Sequence, residues 1–260
     1  MIYSVILRLK PIGNIPISSG TAYHNYSFFL DLIRKVNPDL ANELHEMPGL
    51  KPVTVSPLCG KIRPWIRFTF LQETVFSNFA HSLLNFEPEY SFPLGNHEYK
   101  VLTLSTNNNS SPWVRFDEFQ NIWEHSSLDR KVPMGFRSPT GFRSNGRNVL
   151  FPQTDLVFGS LITRWNAYSE TVIDNSVVDE LLSNVFVSQH TIRTQLLEFG
   201  SYRQVGFIGK CTFELPGKSS ENAIRCMNAL ADFALFAGVG AKTTMGMGQT
   251  KKLIQGGAND

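Results

Sequence analysis

Residues 238–248 read Gly238-Val239-Gly240-Ala241-Lys242-Thr243-Thr244-Met245-Gly246-Met247-Gly248, the most glycine-rich stretch of the chain. Its four glycines form two Gly-x-Gly pairs on either side of one lysine. Glycine admits positive φ and the close approach of another group because it has no Cβ. The stretch therefore predicts a loop that lies against a second group, most simply an anion such as phosphate. The alternative is that the glycines only end a helix and lead into a strand.

The common nucleotide-binding motifs do not fit this loop. In the dinucleotide fingerprint G-x-G-x-x-G, the third glycine would stand where this chain has Thr243. In the P-loop G-x-x-x-x-G-K-[ST], the two glycines would stand where this chain has Phe236 and Ala241. Mononucleotide binding by either motif is therefore not predicted.

Composition indicates a globular protein, and the distribution of charge points to one candidate binding segment. The chain has 260 residues, of which 42% are hydrophobic, so it can form one or two ordered domains. The net charge of +2 indicates no particular partner. The segment from Arg130 to Arg147 contains five basic residues and no acid, with Phe136 and Phe142 between them. This mixture suits contacts with phosphates and bases, although an ordinary solvated strand face would read the same way.

The cysteines and histidines predict neither a metal site nor a cofactor. Cys59, Cys211 and Cys226 are widely spaced and form no C-x-x-C pair, which is typical of reduced thiols in a cytosolic protein. No two histidines have the spacing of a metal-binding motif. The chain shows no signal peptide and no apolar stretch near the ~20 residues of a membrane span, so a cytoplasmic location is predicted and a membrane partner is not.

Strand and helix periodicities alternate in the first half of the chain. Strands are predicted at residues 1–10, 53–58, 65–71 and 99–104, and helices around 28–36 and 75–84, with a short helical turn at 40–45. In the first strand, alternate residues are apolar, which predicts burial on one face only. The order is β-α-β-β-α-β, the split βαβ or ferredoxin-like arrangement.

The second half repeats this order. A polar linker, Asn107-Asn108-Asn109-Ser110-Ser111-Pro112, precedes a predicted bridging helix that carries Phe116, Phe119 and Trp123. Strands are then predicted at residues 132–142, 185–199, 203–215 and about 249–254, and helices around 157–165, 177–182 and 223–235, with a mobile tail at 256–260.

The repeated order predicts an α+β protein made of two tandem ferredoxin-like (RRM-like) domains with antiparallel sheets. The predicted domains are residues 1–111, and residues 112–260 with the bridging helix, a long hairpin and the glycine-rich loop. The alternative is one α+β sandwich without duplication. A groove between two such sheets could hold a strand of nucleic acid.

With these features together, the sequence resembles the repeat-associated RNA-binding superfamily of CRISPR systems, and within it the Cas6 endoribonucleases. The glycine loop matches the family pattern at Gly238, Gly240, Gly246 and Gly248. Further similar stretches are Asn37-Pro38-Asp39-Leu40-Ala41, Leu44-His45-Glu46, residues 51–58, Phe199-Gly200-Ser201-Tyr202 and residues 206–215. The resemblance covers nearly the whole chain.

The resemblance implies an endoribonuclease that cuts CRISPR precursor RNA within each repeat without a metal. In this chemistry the ribose 2′-OH attacks the adjacent phosphorus and leaves a 2′,3′-cyclic phosphate and a 5′-OH. The reaction needs a proton acceptor, a proton donor and positive charge near the phosphorane. The resemblance also implies that the product stem-loop stays bound and that other Cas subunits are partners. The alternative function is a non-catalytic guide-RNA-binding subunit of an interference complex.

The candidates for the catalytic site are His45, Lys51, Tyr26 and His24, with Tyr23 as an alternative to Tyr26. By this resemblance, His45 corresponds to the family's catalytic histidine and Lys51 to an assisting lysine. The alternative for His45 is a histidine that only interacts favourably with the dipole at a helix C-terminus. The family often has a tyrosine on the first helix where this chain has Leu30, so that role is predicted to be absent or to move to Tyr23 or Tyr26. His24 is the rival catalytic histidine.

The candidate RNA-binding residues are the four loop glycines and five cations. The cations are Lys242 in the loop, Arg193 and Arg203 on the predicted hairpin, and Arg137 and Arg143 in the basic segment. The hairpin could enter the groove of an RNA stem while the arginines contact phosphates. Each cation could equally be an ordinary exposed charge.

Overall fold

A computed structural model describes residues 1–13, 22–60, 62–84, 90–107, 110–199 and 202–254, which form two compact units. The first unit comprises Met1–Phe116 with Leu197–Gln204 and Thr244–Gly246; the second comprises Asp117–Leu196, Val205–Thr243 and Met247–Asp260. Parts of three predicted features fall outside the described residues: Asn108 and Asn109 of the linker, Gly200 and Ser201 of the hairpin turn, and the tail 256–260.

The first unit is an antiparallel sheet with helices on one face. Its elements are β1 (Ile2–Pro11), α1 (Ala22–Val36), α2 (Pro38–Glu46), β2 (Val53–Val55), β3 (Trp65–Phe70), α3 (Glu73–Leu84), β4 (Ser91–Leu94), β5 (His97–Ser105) and, at its end, β6 (Arg115–Asp117). The strand order is β2-β3-β1-β5-β4, and β6 also pairs with β1. β1 is central because it pairs antiparallel with both β3 and β5.

The core of this unit lies between β1 and the helices. Alternate residues of β1 (Tyr3, Val5, Leu7 and Leu9) join a buried cluster that includes Phe29 of α1. The prediction that β1 is buried on one face only is wrong, since Ser4 and Ile6 on the other face are also buried. The Ser4 hydroxyl donates to the Trp113 carbonyl oxygen at 2.5 Å, so the chain that follows β5 covers the second face at this point.

The second unit repeats the arrangement. Its elements are α4 (Phe119–Glu124), β7 (Lys131–Thr140), β8 (Phe142–Ser144), β9 (Arg147–Val149), α5 (Thr154–Tyr168), α6 (Asn175–Asn184), β10 (Phe186–Glu198), β11 (Arg203–Glu214), α7 (Glu221–Ala237) and β12 (Thr250–Lys252). A 3-10 helix, Thr243–Met245, lies in the loop between α7 and β12. The four-stranded sheet has the order β10-β11-β7-β12, and β8 and β9 form a separate hairpin.

Comparison of the two sheets confirms the predicted duplication. Numbered by their place in the β-α-β-β-α-β unit, the strands of each sheet lie side by side in the order second, third, first, last. This order is β2-β3-β1-β5 in one sheet and β10-β11-β7-β12 in the other. The described chain therefore contains two ferredoxin-like units and not a single sandwich.

Several element bounds differ from those predicted. β2 ends at Val55 and not at residue 58, since Pro57 has no amide to offer a sheet. Phe116 lies in β6, so the predicted bridging helix begins only at Phe119. β4 was not predicted; it precedes β5 across a turn in which Gly95 has φ 62°. No helix within the described ranges is long and apolar enough to cross a bilayer.

Candidate active site

The C-terminal turn of α2 presents His45. The Asn37 side chain accepts a hydrogen bond from the Leu40 amide at 3.0 Å, and Pro38 occupies the first turn, so the start of this nine-residue helix is fixed. Ala41 and Leu44 are buried and hold the helix against the core. His45, one residue after Leu44, is exposed. The fold therefore attaches an accessible imidazole to a firmly packed turn.

The carbonyl oxygen of Leu44 joins two other predicted catalytic residues to this turn. The Tyr26 hydroxyl donates to it at 2.9 Å, and the Lys51 ammonium also donates to it. Lys51 Nζ donates in addition to the His45 carbonyl oxygen at 3.0 Å and lies 5.7 Å from the centroid of the Tyr26 ring. The last carbonyls of a helix have no partner within the helix and favour a nearby cation. Tyr26, His45 and Lys51 thus meet at one helix end.

Burial changes the proton affinity of two groups at this helix end. It raises the pKa of Tyr26 to about 12, so the phenol stays protonated near neutral pH and acts as a hydrogen-bond donor. Burial lowers the pKa of Lys51 from its usual value, because the charged ammonium loses solvation there. Tyr26 is therefore poorly suited to accept a proton from a 2′-OH at neutral pH.

His24 lies elsewhere on α1. It is exposed and meets the Tyr23 ring edge to face, with 5.9 Å between ring centroids. Positions two residues apart face away from each other on a helix, so His24 and Tyr26 lie on different sides of α1. Leu30, by contrast, follows Tyr26 by one turn and is buried. Tyr26 is therefore one helical turn from the position where the family resemblance places its tyrosine.

The glycine-rich loop needs its glycines for backbone reasons. Gly238, Gly240, Gly246 and Gly248 have φ values of 64°, 82°, 88° and 71°. A Cβ on Gly240 would lie 2.5 Å from the Gly141 carbonyl oxygen, and a Cβ on Gly248 would lie 2.2 Å from that of Val239. Any other residue at position 240 or 248 would therefore strain the backbone, and its Cβ would overlap a carbonyl oxygen.

Three of the glycine amides are already used within the protein. Gly238 N–H donates to the Ala234 carbonyl, Gly246 N–H to that of Val55 and Gly248 N–H to that of Pro139, each at 3.0 Å. These bonds favour the alternative in which the glycines shape the chain between α7 and β12. Lys242, half-buried at φ 59°, is then the residue of the loop best suited to contact an anion.

The remaining basic candidates lie on strands. Arg137 of β7, Arg143 of β8 and Arg193 of β10 are exposed. Arg143 stands in a hairpin with β9 whose turn is formed by Asn145 and Gly146, both at positive φ. Arg203 at the start of β11 pairs with Glu198 at 3.4 Å, so its charge is partly compensated.

The described residues contain no cluster of three or more His, Cys, Asp and Glu side chains that could hold a metal ion. The three cysteines are free thiols. Arg164 was not predicted as functional, although it is buried in α5. A charged residue within the apolar stripe of Val157, Leu161 and Trp165 was the signal that could have singled it out.

Comparisons with known proteins follow the same division of the chain. Residues 134–250 match the family described as "CRISPR-associated endoribonuclease Cas6", and residues 1–63 and 59–124 match "CRISPR Cas6 N-terminal domain". The CRISPR-associated endoribonuclease Cas6 of Streptococcus thermophilus is 31% identical over 137 residues, which is 52% of this chain and 56% of that protein. The Mycobacterium tuberculosis (strain CDC 1551 / Oshkosh) protein of the same name is 30% identical over 132 residues, 50% of this chain and 41% of that protein. The chain thus matches about half the length of these curated relatives.

Solved structures match over nearly the full chain. A Cas6 product complex has a TM-score of 0.85 and 28% identity, covering 97% of this chain and 100% of that one. A second Cas6 product complex has a TM-score of 0.83 and 25% identity, covering 97% and 99%. Thermus thermophilus Cas6 has a TM-score of 0.78 and 27% identity, covering 97% and 98%.

Proposed function

The chain belongs to the family of the CRISPR-associated endoribonuclease Cas6, and from this membership we propose that it cleaves CRISPR precursor RNA within the repeats. The observation that carries the proposal is the meeting of Tyr26 and Lys51 at the Leu44 carbonyl, next to His45, whose backbone carbonyl also accepts from Lys51. Two similar structures are product complexes, which supports RNA as the substrate class.

The proposed reaction is attack of a ribose 2′-OH on the adjacent phosphorus without a metal ion. The P–O bond to the 5′-oxygen breaks, and the products are a 2′,3′-cyclic phosphate and a 5′-OH. His45 carries the proton transfer, since it is exposed and histidine exchanges protons near neutral pH. Lys51 has three N–H donors and uses two on helix carbonyls, so one remains to stabilise the phosphorane. Tyr26 positions the helix end through the Leu44 carbonyl.

RNA binding is assigned to cations of the second unit. Exposed Arg137, Arg143 and Arg193 contact phosphates, together with Lys242 of the glycine-rich loop. Contacts of this kind supply affinity that depends strongly on salt. The 3′ stem-loop of the product stays bound, and other Cas subunits are partners of the resulting complex.

The test compares two histidine variants on repeat RNA in the presence of EDTA. His45 and His81 both stand in the last turn of a helix in the first unit and both are exposed. His45→Ala is expected to slow single-turnover cleavage by at least ~100-fold, the usual contribution of an acid–base residue. His81→Ala is the matched control and is expected to cleave at the wild-type rate.

The outcomes separate the proposal from its alternative. Repeat RNA bound tightly by wild type with no cyclic phosphate product would favour the non-catalytic guide-RNA-binding subunit. Full cleavage by His45→Ala with loss in His24→Ala would transfer the catalytic role to His24. Cleavage that stops in EDTA would overturn the metal-independent mechanism.

A further inference from the structure

Arg164 of α5 is a buried cation without a charged partner. Only 6% of its surface is exposed. Its Nη2 donates to the Thr243 hydroxyl at 2.9 Å, while Nε and Nη1 are buried without any hydrogen-bond partner. Among the described residues, no carboxylate lies within ion-pair distance of its guanidinium. Arg164 is thus a buried guanidinium in which two of the three nitrogens have no hydrogen-bond partner in the protein.

This arrangement is unfavourable for folding. A guanidinium carries five N–H donors, and burying it without a carboxylate costs free energy. The nearby Tyr168 is neutral in its ordinary state, and burial raises its pKa further. An apolar side chain would fill the same place between Leu161 and Trp165 at lower cost. Stability therefore gives no reason for an arginine here, whereas binding of an anion does.

Thr243 joins Arg164 to the glycine-rich loop. A Cβ on Gly238 would lie 3.0 Å from the Thr243 methyl carbon, and a Cβ on Gly248 would lie 3.1 Å from it. The threonine thus fits between two glycines, and its hydroxyl accepts from Arg164. Lys242, the residue before Thr243, lies in the same loop. Arg164 of α5 therefore contacts the segment of the loop that also contains Lys242.

We propose that Arg164 binds a backbone phosphate of the RNA at the glycine-rich loop, in place of the Thr243 hydroxyl. The inference rests on the function proposed above and adds a phosphate subsite to it. RNA binding displaces Thr243 and exchanges one hydrogen bond to a neutral hydroxyl for charge-assisted bonds from Arg164. No ion pair has to be broken first, so the gain from the phosphate is not offset by a lost carboxylate.

The test measures RNA affinity and stability on the same variants. Arg164→Met keeps the length of the side chain and removes its charge. It is expected to weaken repeat RNA binding at least tenfold, and to lower the slope of log K against log salt by about 0.7–0.9, the share of one phosphate contact. Its urea midpoint is expected to equal or exceed that of wild type. Arg225→Met is the matched control, because Arg225 is a helical arginine already paired with Glu221 at 3.0 Å, and its RNA affinity should not change.

A second variant separates phosphate binding from simple positioning of the loop. Thr243→Val removes the hydroxyl and leaves Arg164 in place. Direct binding predicts that Thr243→Val keeps the wild-type affinity, while Arg164→Met loses it. Equal losses in both variants, or unchanged affinity with a lower urea midpoint in Arg164→Met, would overturn the proposal.

If the protein binds no repeat RNA, the proposed function is wrong, but the phosphate subsite at Arg164 can still be tested directly. Pyrophosphate is then the probe, and the thermal midpoint is the readout. A rise in wild type that disappears in Arg164→Met supports the subsite. The same response in both proteins overturns it.

Discussion

The Leu44 carbonyl oxygen is a single atom on which the arrangement of the active site depends. It accepts from the Tyr26 hydroxyl and from Lys51, which come from α1 and from the segment after α2. Both bonds satisfy a helix end that would otherwise lack partners. The same two bonds fix the turn that carries His45. At this point, helix capping and the positioning of a catalytic group are the same interaction.

Tyr26→Phe tests the positioning role of the hydroxyl. The variant loses one buried hydrogen bond, so unfolding free energy should fall by about 1 kcal/mol. Cleavage should slow several-fold, and the shape of the rate profile between pH 6 and 9 should not change, since the pKa of Tyr26 is about 12. Single-turnover cleavage and urea unfolding measure the two effects. Tyr23→Phe, at an exposed ring on the same helix, is the control; a profile altered only in Tyr26→Phe would instead make Tyr26 a titrating group.

The buried thiols predict how stability changes at alkaline pH. Burial raises the pKa of Cys226 from 9.0 to about 12. Between these values the unfolded chain releases the thiol proton and the folded chain keeps it, so stability falls as pH rises, by up to ~1.4 kcal/mol per pH unit. Buried Arg67, whose pKa is lowered to about 9, acts in the opposite direction. The loss of unfolding free energy from pH 9 to 10 should therefore be about 1 kcal/mol smaller in Cys226→Ala than in wild type, as measured in urea. An equal loss in both proteins would exclude ionisation of this thiol as a cause.

At the scale of elements, the long helices could be predicted from sequence, whereas the short strands β4 and β6 could not. The periodicities of α1, α3, α5 and α7 extend over three or more turns and locate those helices. β4 and β6 are only four and three residues long, too short for an alternating pattern to appear. Their pairing depends on neighbours distant in the chain. The same limit applies to the site: His45 and Lys51 could be named from local stretches, but the contact of Tyr26 with Leu44 arises only when α1 packs on α2.

Gly248→Ala tests the glycine-rich loop as an element. Its added Cβ would lie 2.2 Å from the Val239 carbonyl oxygen at φ 71°, so at least ~3 kcal/mol of destabilisation is expected. Gly146 has nearly the same φ of 73° but nothing within 4 Å of an added Cβ. Gly146→Ala should therefore cost only the ~1 kcal/mol of backbone strain. Urea unfolding of both variants measures the difference. Equal losses of unfolding free energy would show that the backbone near residue 248 shifts enough to remove the overlap.

At the scale of the whole molecule, the duplication could be predicted because both halves repeat one order of elements. The basic segment from Arg130 to Arg147 could also be identified from sequence. The partners of individual charges could not: Arg203 and Arg193 look alike in the sequence, yet among the residues that the structure describes Arg203 pairs with Glu198 and Arg193 has no ion pair. Such pairing depends on register across the β10–β11 hairpin.

These two arginines give a matched pair for RNA binding. Arg193→Ala removes an exposed charge and is expected to weaken repeat RNA binding several-fold and to reduce its salt dependence by about one phosphate contact. In wild type the charge of Arg203 is partly compensated by the Glu198 carboxylate. Arg203→Ala should therefore change the salt dependence of RNA binding less than Arg193→Ala does. Fluorescence anisotropy over a series of salt concentrations measures both. A larger change of slope for Arg203→Ala would reverse the assignment.

The composition of the first unit has a consequence for protein synthesis. Thr244–Gly246 belongs to this unit, and the Gly246 amide donates to the Val55 carbonyl oxygen. A ribosome makes Val55 long before Gly246, so β2 can pair with β3 early, but the Val55 carbonyl oxygen must wait for an amide that emerges only after α7. Completion of the first unit therefore waits for the segment that follows α7, and the part of the protein that carries His45 matures no earlier than most of the second unit.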